Sequence, residues 1–118
     1  MTIFMLTFAC KKINFEELVR CSFALNKTEY KIFMYLLKRR KPKTAIKIAK
    51  DMKMDRTSIQ KAVKSLFEKN LVERRQLNLN TGGYTYVYKT KEKEKIKKRM
   101  NKLVDEWAKK VRKKIANW

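Results

Sequence analysis

The sequence predicts a mainly helical domain with one small β hairpin, followed by a long amphipathic C-terminal helix. Apolar residues recur at three-four spacing through most of the 118 residues, which is typical of amphipathic helices. Only two glycines and one proline interrupt the chain. Both glycines lie together at 82 and 83 and indicate one prominent turn. We expect an N-terminal arm and first helix over 1–24, a central domain over 25–90 and the last helix over 91–118.

The net charge points to the class of partner. The chain has 32 basic and 11 acidic residues, a formal net charge of +21. Such an excess repels itself, and a polyanionic partner, nucleic acid first, is the usual reason for it. An acidic membrane surface or an acidic protein would satisfy the same charge. A genome-wide bias toward lysine is a further alternative, but in thermophiles it brings glutamate as well, and acids are few here.

The side chains that most enzymes and metal sites need are scarce. The chain has no histidine, which removes the commonest general base and metal ligand. It also has no glycine-rich phosphate loop, so we expect no enzyme activity, metal or cofactor. Cys10 and Cys21 are too few for a disulfide framework or a zinc site. The simplest interpretation is two reduced thiols, and a redox-sensing disulfide between them is the alternative.

The apolar run Met1–Ala9 has no single interpretation. It is far shorter than the roughly 20 residues that a membrane-spanning helix needs. Because no basic segment precedes it, it does not resemble a secretion signal. It is either a strand or extended arm that packs on its own domain or on a second subunit, or a frayed terminus. Its many large apolar residues favour burial.

Two helices are predicted before the central segment. Asn14 and Glu17 have the spacing of a capping box, which predicts a helix from Phe15 to Ala24. The next helix, Thr28–Arg39, begins at Asn26 or Thr28. The apolar face of the first comprises Phe15, Leu18, Val19 and Phe23. The inward residues of the second are Tyr30, Ile32, Phe33, Leu36 and Leu37, which predicts a core helix.

A basic run, KRRKPK, spans residues 38–43. Cations at a helix C-terminus are stabilising there in any case. The run also lies directly before the next helix, where a nucleic-acid backbone would be within reach. We therefore expect phosphate contacts, which add affinity and salt dependence without sequence preference. The candidates are Arg39, Arg40, Lys41 and Lys43.

The segment 43–72 predicts two helices joined by a tight connection. Thr44 caps the first helix, Thr44–Met52, and Asp55 caps the second, because their side-chain oxygens can accept from free N–H groups of the first turn. Asn70 stands where a helix often ends in a left-handed residue. The apolar face of the second helix comprises Ile59, Ala62, Val63, Leu66 and Phe67.

The outer face of the second helix contains no acid and no large apolar residue. Small hydroxyls and long cations near a helix N-terminus suit the DNA major groove, where they can reach base edges and phosphates. A solvated polar face is the alternative. The residues on this face are Arg56, Thr57, Ser58, Lys61, Lys64 and Ser65.

Segments Leu71–Leu77 and Tyr84–Thr90 predict an antiparallel hairpin. The link Asn78–Gly83 contains both glycines, as a turn with positive φ requires. Three tyrosines alternate along one face of the second strand. Packing against the core is favoured for them, and base stacking on a single strand is the alternative.

The stretch from about Leu25 to Thr90 resembles the winged helix-turn-helix of MarR-like and TrmB-like transcriptional regulators, especially small archaeal ones. The matching segments are LNKTEYKIFMYLL, TAIKIAKDMKMDRTSIQKAVKSLFEKNLVERR and GGYTYVYK, of which DRTSIQKAVKSLFEKNLV is the most specific. The resemblance implies that Asp55–Lys69 is a recognition helix in the major groove and that the hairpin is a wing on the backbone or minor groove. Asn70 departs from the common glycine, but asparagine tolerates the left-handed conformation.

From Lys91 the chain predicts one long helix with an uninterrupted apolar stripe. The stripe runs for about 23 residues, roughly 34 Å, which is more than a small domain can cover. We expect it to pair with a symmetry mate, as the resembled families imply. A helix lying on an anionic membrane is the less favoured alternative. The expected dimerisation residues are Ile96, Met100, Leu103, Val104, Trp107, Val111, Ile115 and Trp118.

These observations predict a homodimer that binds double-stranded DNA at a promoter, with inverted half-sites about one helical turn apart. Activation and repression are both open, and we expect a cytoplasmic, nucleoid-associated protein. A weakly specific chromatin protein and a protein-interaction module are the alternatives. The expected base contacts are Thr57, Ser58, Lys61, Arg56 and Gln60. The expected backbone or wing contacts are Lys64, Arg39, Arg40, Lys41, Lys43, Thr44, Arg74, Arg75, Asn80 and Thr81.

Overall fold

The computed structural model describes residues 5–118 as an elongated molecule of 65 × 27 × 23 Å. The elements in chain order are β1 Met5–Phe8, β2 Lys11–Asn14, α1 Phe15–Phe23, α2 Lys27–Lys38, β3 Lys43–Thr44, α3 Ala45–Met52, α4 Arg56–Glu68, β4 Val72–Asn78, β5 Tyr84–Thr90 and α5 Lys93–Ala116. The mainly helical fold class is confirmed. The predicted hairpin is part of a three-stranded sheet with strand order β3-β5-β4.

The N-terminal segment forms a hairpin of its own. Strand β1 pairs antiparallel with β2, from Met5 opposite Asn14 to Phe8 opposite Lys11. A strand within the first nine residues agrees with one interpretation of that run, while residues 1–4 lie outside the described part. The second strand was not predicted, because KKIN has no apolar alternation. Asn14 also caps α1, since its side chain accepts from Glu17 N at 2.8 Å.

Local signals set the ends of α1 and α2. Helix α1 ends where Ala24 takes a left-handed conformation, with φ of 55°. Asn26 then caps α2 through a complete capping box, in which two 2.8 Å bonds join it reciprocally to Glu29. Phe15 was expected on the apolar face of α1 but is 45% exposed. It is the first residue of the helix, and the buried positions lie in the second half.

The core lies between α2, α3 and α4 and is closed by the start of β4. Every one of these elements supplies fully buried side chains. Burial of one such side chain stabilises the fold by about 1.5–3 kcal/mol. The predicted inner face of α4 is confirmed, with Phe67 half-buried. The largest fully buried side chains are Phe33, Ile32, Leu36, Ile48, Ile59, Leu66, Leu71, Val63 and Val72.

The α3–turn–α4 unit forms as the capping pattern predicts. Thr44 Oγ1 accepts from Lys47 N at 3.1 Å, and Asp55 caps α4. The connection is short because Lys53 ends α3 in a left-handed conformation, with φ of 55°. Asn70 ends α4 with φ of 59°. The chain then folds back, and Leu71 N donates to Leu66 O at 3.0 Å.

The wing is a twisted hairpin with a three-residue tip. Strand β4 pairs with β5 from Val72 opposite Thr90 to Asn78 opposite Tyr84. Beyond the ladder, Leu79 N donates to Gly83 O and Gly82 N donates to Leu79 O, both at 3.1 Å. The positive φ of Gly82, 92°, suits a type I turn followed by a left-handed residue. Strand β3 was not predicted, because two residues carry no period.

Helix α5 leaves the domain partway along its length. Ile96 is 5% exposed and Met100 packs against the same core. The chain itself therefore covers Ile96 and partly covers Met100, and their place in a dimer interface stays a prediction. From Leu103 to Trp118 the large apolar side chains are exposed, Trp107 to 61%, with Val111 half-buried. Within residues 5–118, no helix is long and apolar enough to cross a membrane.

Candidate nucleic-acid interface

Helix α4 has one buried face and one exposed face. Ile59, Val63 and Leu66 are completely buried, so the rotation of the helix about its axis is fixed. The opposite face is exposed and has no acid from Arg56 to Lys64, and Glu68 is the first acid on it, at the end of the helix. Its members recur at three-four spacing and so form one continuous surface. They are Arg56, Thr57, Gln60, Lys61 and Lys64.

Ser58 differs from its neighbours because its hydroxyl is already engaged. Ser58 Oγ donates to Asp55 Oδ1 at 2.6 Å, and Ser58 N donates to Asp55 Oδ2 at 2.9 Å. These bonds hold the pKa of the Asp55 carboxyl below its usual value. A serine hydroxyl has one hydrogen, so Ser58 can meet a base only as an acceptor. The sequence offered the spacing of this pair, but the base-contact interpretation overlooked it.

Arg39 is held on its own helix. Its guanidinium carbon lies 3.7 Å from the centroid of the Tyr35 ring, and its Nη1 donates to Tyr35 O at 3.1 Å. The Tyr35 hydroxyl donates to Asp51, which is also paired with Lys47 at 3.1 Å. Burial and the Asp51 carboxylate raise the pKa of Tyr35 to about 12. Arg39 is therefore exposed but pre-oriented.

The other basic residues of this loop are placed differently. Arg40 and Lys41 are exposed, and within the described chain neither forms an ion pair. Lys43 and Thr44 are half-buried in β3, where they pair with Tyr88 and Val87 of the wing. This short strand joins the start of α3 to the wing, so the loop and the wing form one surface.

Arg74 lies at the base of the wing. Its guanidinium stacks between two rings, with its carbon 4.3 Å from the centroid of Phe67 and 4.7 Å from that of Tyr86. Planar stacking of this kind ties β4 to α4 and β5. Arg75 lies on the opposite face of β4 and is exposed, as are Asn80 and Thr81 at the tip. Nucleic-acid contact by these wing residues stays a prediction.

The three tyrosines of β5 become more exposed toward the tip of the wing. Tyr88 is buried and Tyr86 half-buried, which agrees with packing for these two. Tyr84, nearest the tip, is exposed and meets Tyr86 edge to face, with ring centroids 5.6 Å apart. The packing interpretation therefore does not extend to the outermost ring.

A cluster of cations joins the C-terminal ends of α1 and α4 to α5. Lys69 Nζ donates to Ala24 O at 2.7 Å and lies 3.5 Å from the buried Glu29 carboxylate. Arg99 donates to Asn70 O at 2.8 Å and to Lys69 O at 3.0 Å. These cations satisfy carbonyls that the helix ends leave free. Sequence reasoning missed this cluster, since its partners are about 30 to 45 residues apart.

The cysteines and the acidic residues form no evident site. Cys10 lies in the turn between β1 and β2 and Cys21 on α1, and both are exposed, free thiols. The redox hypothesis therefore stays a prediction. Among residues 5–118, no group of three or more His, Cys, Asp or Glu side chains could hold a metal ion.

Comparison with known proteins places this arrangement in a family. Residues 20–94 match the model of the sugar-specific transcriptional regulator TrmB. The chain belongs to the TrmB family. It is also 33% identical over 104 residues to the protein MJ1503 of Methanocaldococcus jannaschii, which covers 88% of this chain and 78% of the relative. The expected resemblance to archaeal MarR/TrmB-like winged-helix regulators is confirmed.

Solved structures support the same fold. A possible transcriptional regulator from Methanosarcina mazei superposes with a TM-score of 0.91 and 30% identity, over 99% of this chain and 98% of that one. MarR from Staphylococcus aureus superposes with a TM-score of 0.53 and 16% identity, over 84% and 65%. The second likeness concerns the fold alone. This TrmB-family chain is thus a winged-helix transcriptional regulator in its family and architecture.

Proposed function

We propose that this TrmB-family chain is a sequence-specific DNA-binding regulator that acts as a homodimer at a promoter. The observation that carries the proposal is the two-sided character of α4. Ile59, Val63 and Leu66 of its inner face are completely buried, so its exposed face, which has no acid from Arg56 to Lys64, is presented in one fixed orientation. A rigid helix face with short hydroxyls, an amide and cations is suited to reading base edges in the major groove.

The side chains on this face divide into two roles. Thr57, Gln60 and Lys61 are exposed in the first two turns of α4 and are the principal base contacts. Arg56 and Lys64 contact bases or phosphates. Ser58 contributes only an acceptor, because its hydrogen is bound to Asp55. Arg40 and Lys41 supply phosphate contacts from the loop before α3. Such contacts set affinity and register but carry no sequence information.

A second copy of the chain is the proposed occupant of the exposed part of α5. Its apolar stripe beyond Met100 is uncovered, and a stripe of this length facing water is unfavourable. A two-fold axis through paired α5 helices would place the recognition helices at two inverted half-sites, about 34–36 Å apart. Such a protein would act on the nucleoid, blocking or assisting polymerase.

The test is fluorescence anisotropy on a duplex selected from a random pool, with a shuffled duplex of the same composition. We expect a preference of about 10³-fold or more for the selected duplex. Lys61→Ala should weaken binding by about 1–3 kcal/mol and relax preference at one position. Lys41→Ala should weaken both duplexes alike and reduce the salt slope by about one unit.

Lys31→Ala is the matched control, because Lys31 is an exposed helical lysine on α2 outside the proposed interface. It should leave preference and salt slope unchanged. Equal, uniform losses from Lys61→Ala and Lys41→Ala would contradict the base-reading role of α4.

The net charge of +21 favours a second candidate, a weakly specific architectural DNA-binding protein. That role predicts tight, salt-sensitive and equal binding to both duplexes. Failure to bind either duplex at low salt would contradict both DNA-binding roles and leave a protein-interaction module.

A further inference from the structure

The tip of the wing exposes large apolar side chains that the winged-helix core does not use. Leu77 is 43% exposed and Leu79 is 44% exposed. Neither belongs to the core or to the partly buried residues packed against it. Leu77 lies near the end of β4, and Leu79 is the first residue after that strand. In a chain this basic, two exposed leucines only two residues apart at the tip of the wing suggest that a binding partner covers them.

The backbone holds Leu79 in place. Its N–H donates to Gly83 O and its C=O accepts from Gly82 N, both at 3.1 Å. Both of its backbone hydrogen-bonding groups are therefore satisfied within the turn. Opposite it stands Gly83, which has no side chain to cover it, and a Cβ placed there would meet nothing within 4 Å. Leu79 thus projects from a fixed turn without a cross-strand neighbour.

The charge around the leucines identifies the kind of partner. Between Glu73 and Glu92 the chain has no acid, and Glu73 is itself paired with Lys91 at 3.5 Å. Arg75 lies on the same face of β4 as Leu77 and is exposed. An apolar tip on a positively charged ribbon is complementary to a groove with phosphate walls and stacked bases, and not to an apolar protein surface.

We propose that Leu79, with Leu77 behind it, inserts as a wedge into the DNA minor groove and partly unstacks one base step. Apolar side chains that enter between base pairs kink a duplex by roughly 20–90°. The energy of the kink depends on the step, and pyrimidine–purine steps are the easiest to open. The wing would then add sequence preference through deformability at a position that α4 does not touch. This inference rests on the proposed DNA-binding function and deepens it.

The experiment measures unstacking and bending separately from binding. A duplex selected by the protein from a random pool is probed with permanganate, which reacts with unstacked thymines at any position. The same duplex with donor and acceptor dyes at its ends reports bending by energy transfer. The wild-type complex should show severalfold increased reactivity at one step per half-site, flanking the footprint of α4, together with a higher transfer efficiency.

Three variants isolate the wedge. Leu79→Ala removes it and should abolish both signals while the duplex stays bound. Leu79→Met keeps a long apolar side chain and should retain both signals. Gln76→Ala alters an exposed polar residue of the same hairpin without apolar loss and should also retain them. Because both altered positions are exposed, circular dichroism should give the same melting temperature for each variant as for the wild type.

The outcomes separate this inference from the function on which it rests. Binding with enhanced reactivity that Leu79→Ala abolishes supports the wedge. Binding without unstacking, or with unstacking that survives in Leu79→Ala, overturns the wedge and leaves the proposed DNA-binding regulator intact. No binding to any duplex overturns both.

Discussion

Helices α2 and α5 have the same kind of apolar stripe, but the chain covers only one of them. In α2 the inward residues Ile32, Phe33 and Leu36 are at most 1% exposed. In α5 the residues from Leu103 onward are uncovered, although their spacing is equally regular. Three-four spacing therefore specifies that a face must be covered, but not which surface covers it.

The division falls inside α5. Its first two turns belong to the domain, through buried Ile96 and through Arg99, which donates to the last carbonyls of α4. The remainder extends beyond the domain and accounts for much of the 65 Å length. Substitutions in the covered part of the molecule should therefore have larger effects on stability than those in the uncovered stripe.

Loss of Phe33 should have the largest effect. The ring is buried and meets Phe23 edge to face, with centroids 6.4 Å apart. Phe33→Ala should lower the free energy of unfolding by about 3–5 kcal/mol, because the cavity cannot close fully. Urea denaturation measures the loss. The control is Phe15→Ala, an equal truncation at an exposed site, which should change stability by about 0.5 kcal/mol or less. Equal losses would contradict the burial pattern.

Two acids in the uncovered stripe should dissociate the proposed dimer. Leu103→Asp with Trp107→Asp places charges where a second copy is expected, so light scattering should give a monomer. The melting temperature of the wild type should rise with protein concentration, and that of the double variant should not. Lys109→Asp with Lys113→Asp introduces as many aspartates on the same exposed helix and should remain dimeric. If the first variant stays dimeric, the interface lies elsewhere.

The boundary within α5 can be tested with two arginines. Arg99→Ala removes two bonds to the carbonyls at the end of α4 and should cost about 1–3 kcal/mol of stability. Arg112→Ala changes the same side chain on the uncovered part of the same helix and should cost about 0.5 kcal/mol or less. Both are measured by thermal unfolding in the monomeric background. A reversed order would contradict the assignment of the first turns to the domain.

The smallest expected effect concerns pH and the buried carboxylate of α2. Burial raises the pKa of Glu29, but the hydrogen bonds from Ser65 and Asn26 and the charge of Lys69 outweigh it, so the pKa in the folded protein lies below the ordinary value of 4.5. Ionised Glu29 therefore stabilises the fold above that pH, and the contribution is lost as pH falls through the folded pKa.

Thermal unfolding between pH 7 and pH 3 checks this prediction. Glu29→Gln should show a shallower loss of stability on acidification than the wild type. Glu94→Gln, at a carboxylate on α5 whose side chain is 77% exposed, should follow the wild-type profile. A Glu29→Gln profile parallel to that of the wild type would contradict the shift.

The parts of the fold that were predicted correctly depend on local chemistry. The caps at Asn14, Thr44 and Asp55, the left-handed Asn70 and the limits of β5 all follow from side chains acting on nearby backbone. The errors have the opposite origin. Strand β3 exists only because it pairs with β5, more than 40 residues away. Two residues carry no periodic signal by which to detect such pairing.

The candidate site was predictable to the same extent. The exposed face of α4 follows from the buried one, so Thr57 and Lys61 are exposed as expected. The intramolecular contacts of Ser58, Arg39 and Arg74 were not predicted, because each side chain pairs with a group whose position depends on the folded geometry. Likewise, the burial of Ile96 within its own chain was not predicted, because spacing does not distinguish an intramolecular partner from a second copy.

The contact of Arg99 with the end of α4 has a mechanical consequence. It fixes the direction of α5 relative to α4, so a change in angle at Arg99 would move the far end of the protruding helix. From Arg99 to Ala116 the helix is about 26 Å long at 1.5 Å per residue. A tilt of about 10° at Arg99 displaces its far end by roughly 4 Å. In a dimer that pairs through α5, the distance between the two α4 helices would therefore depend on the hydrogen bonds of Arg99.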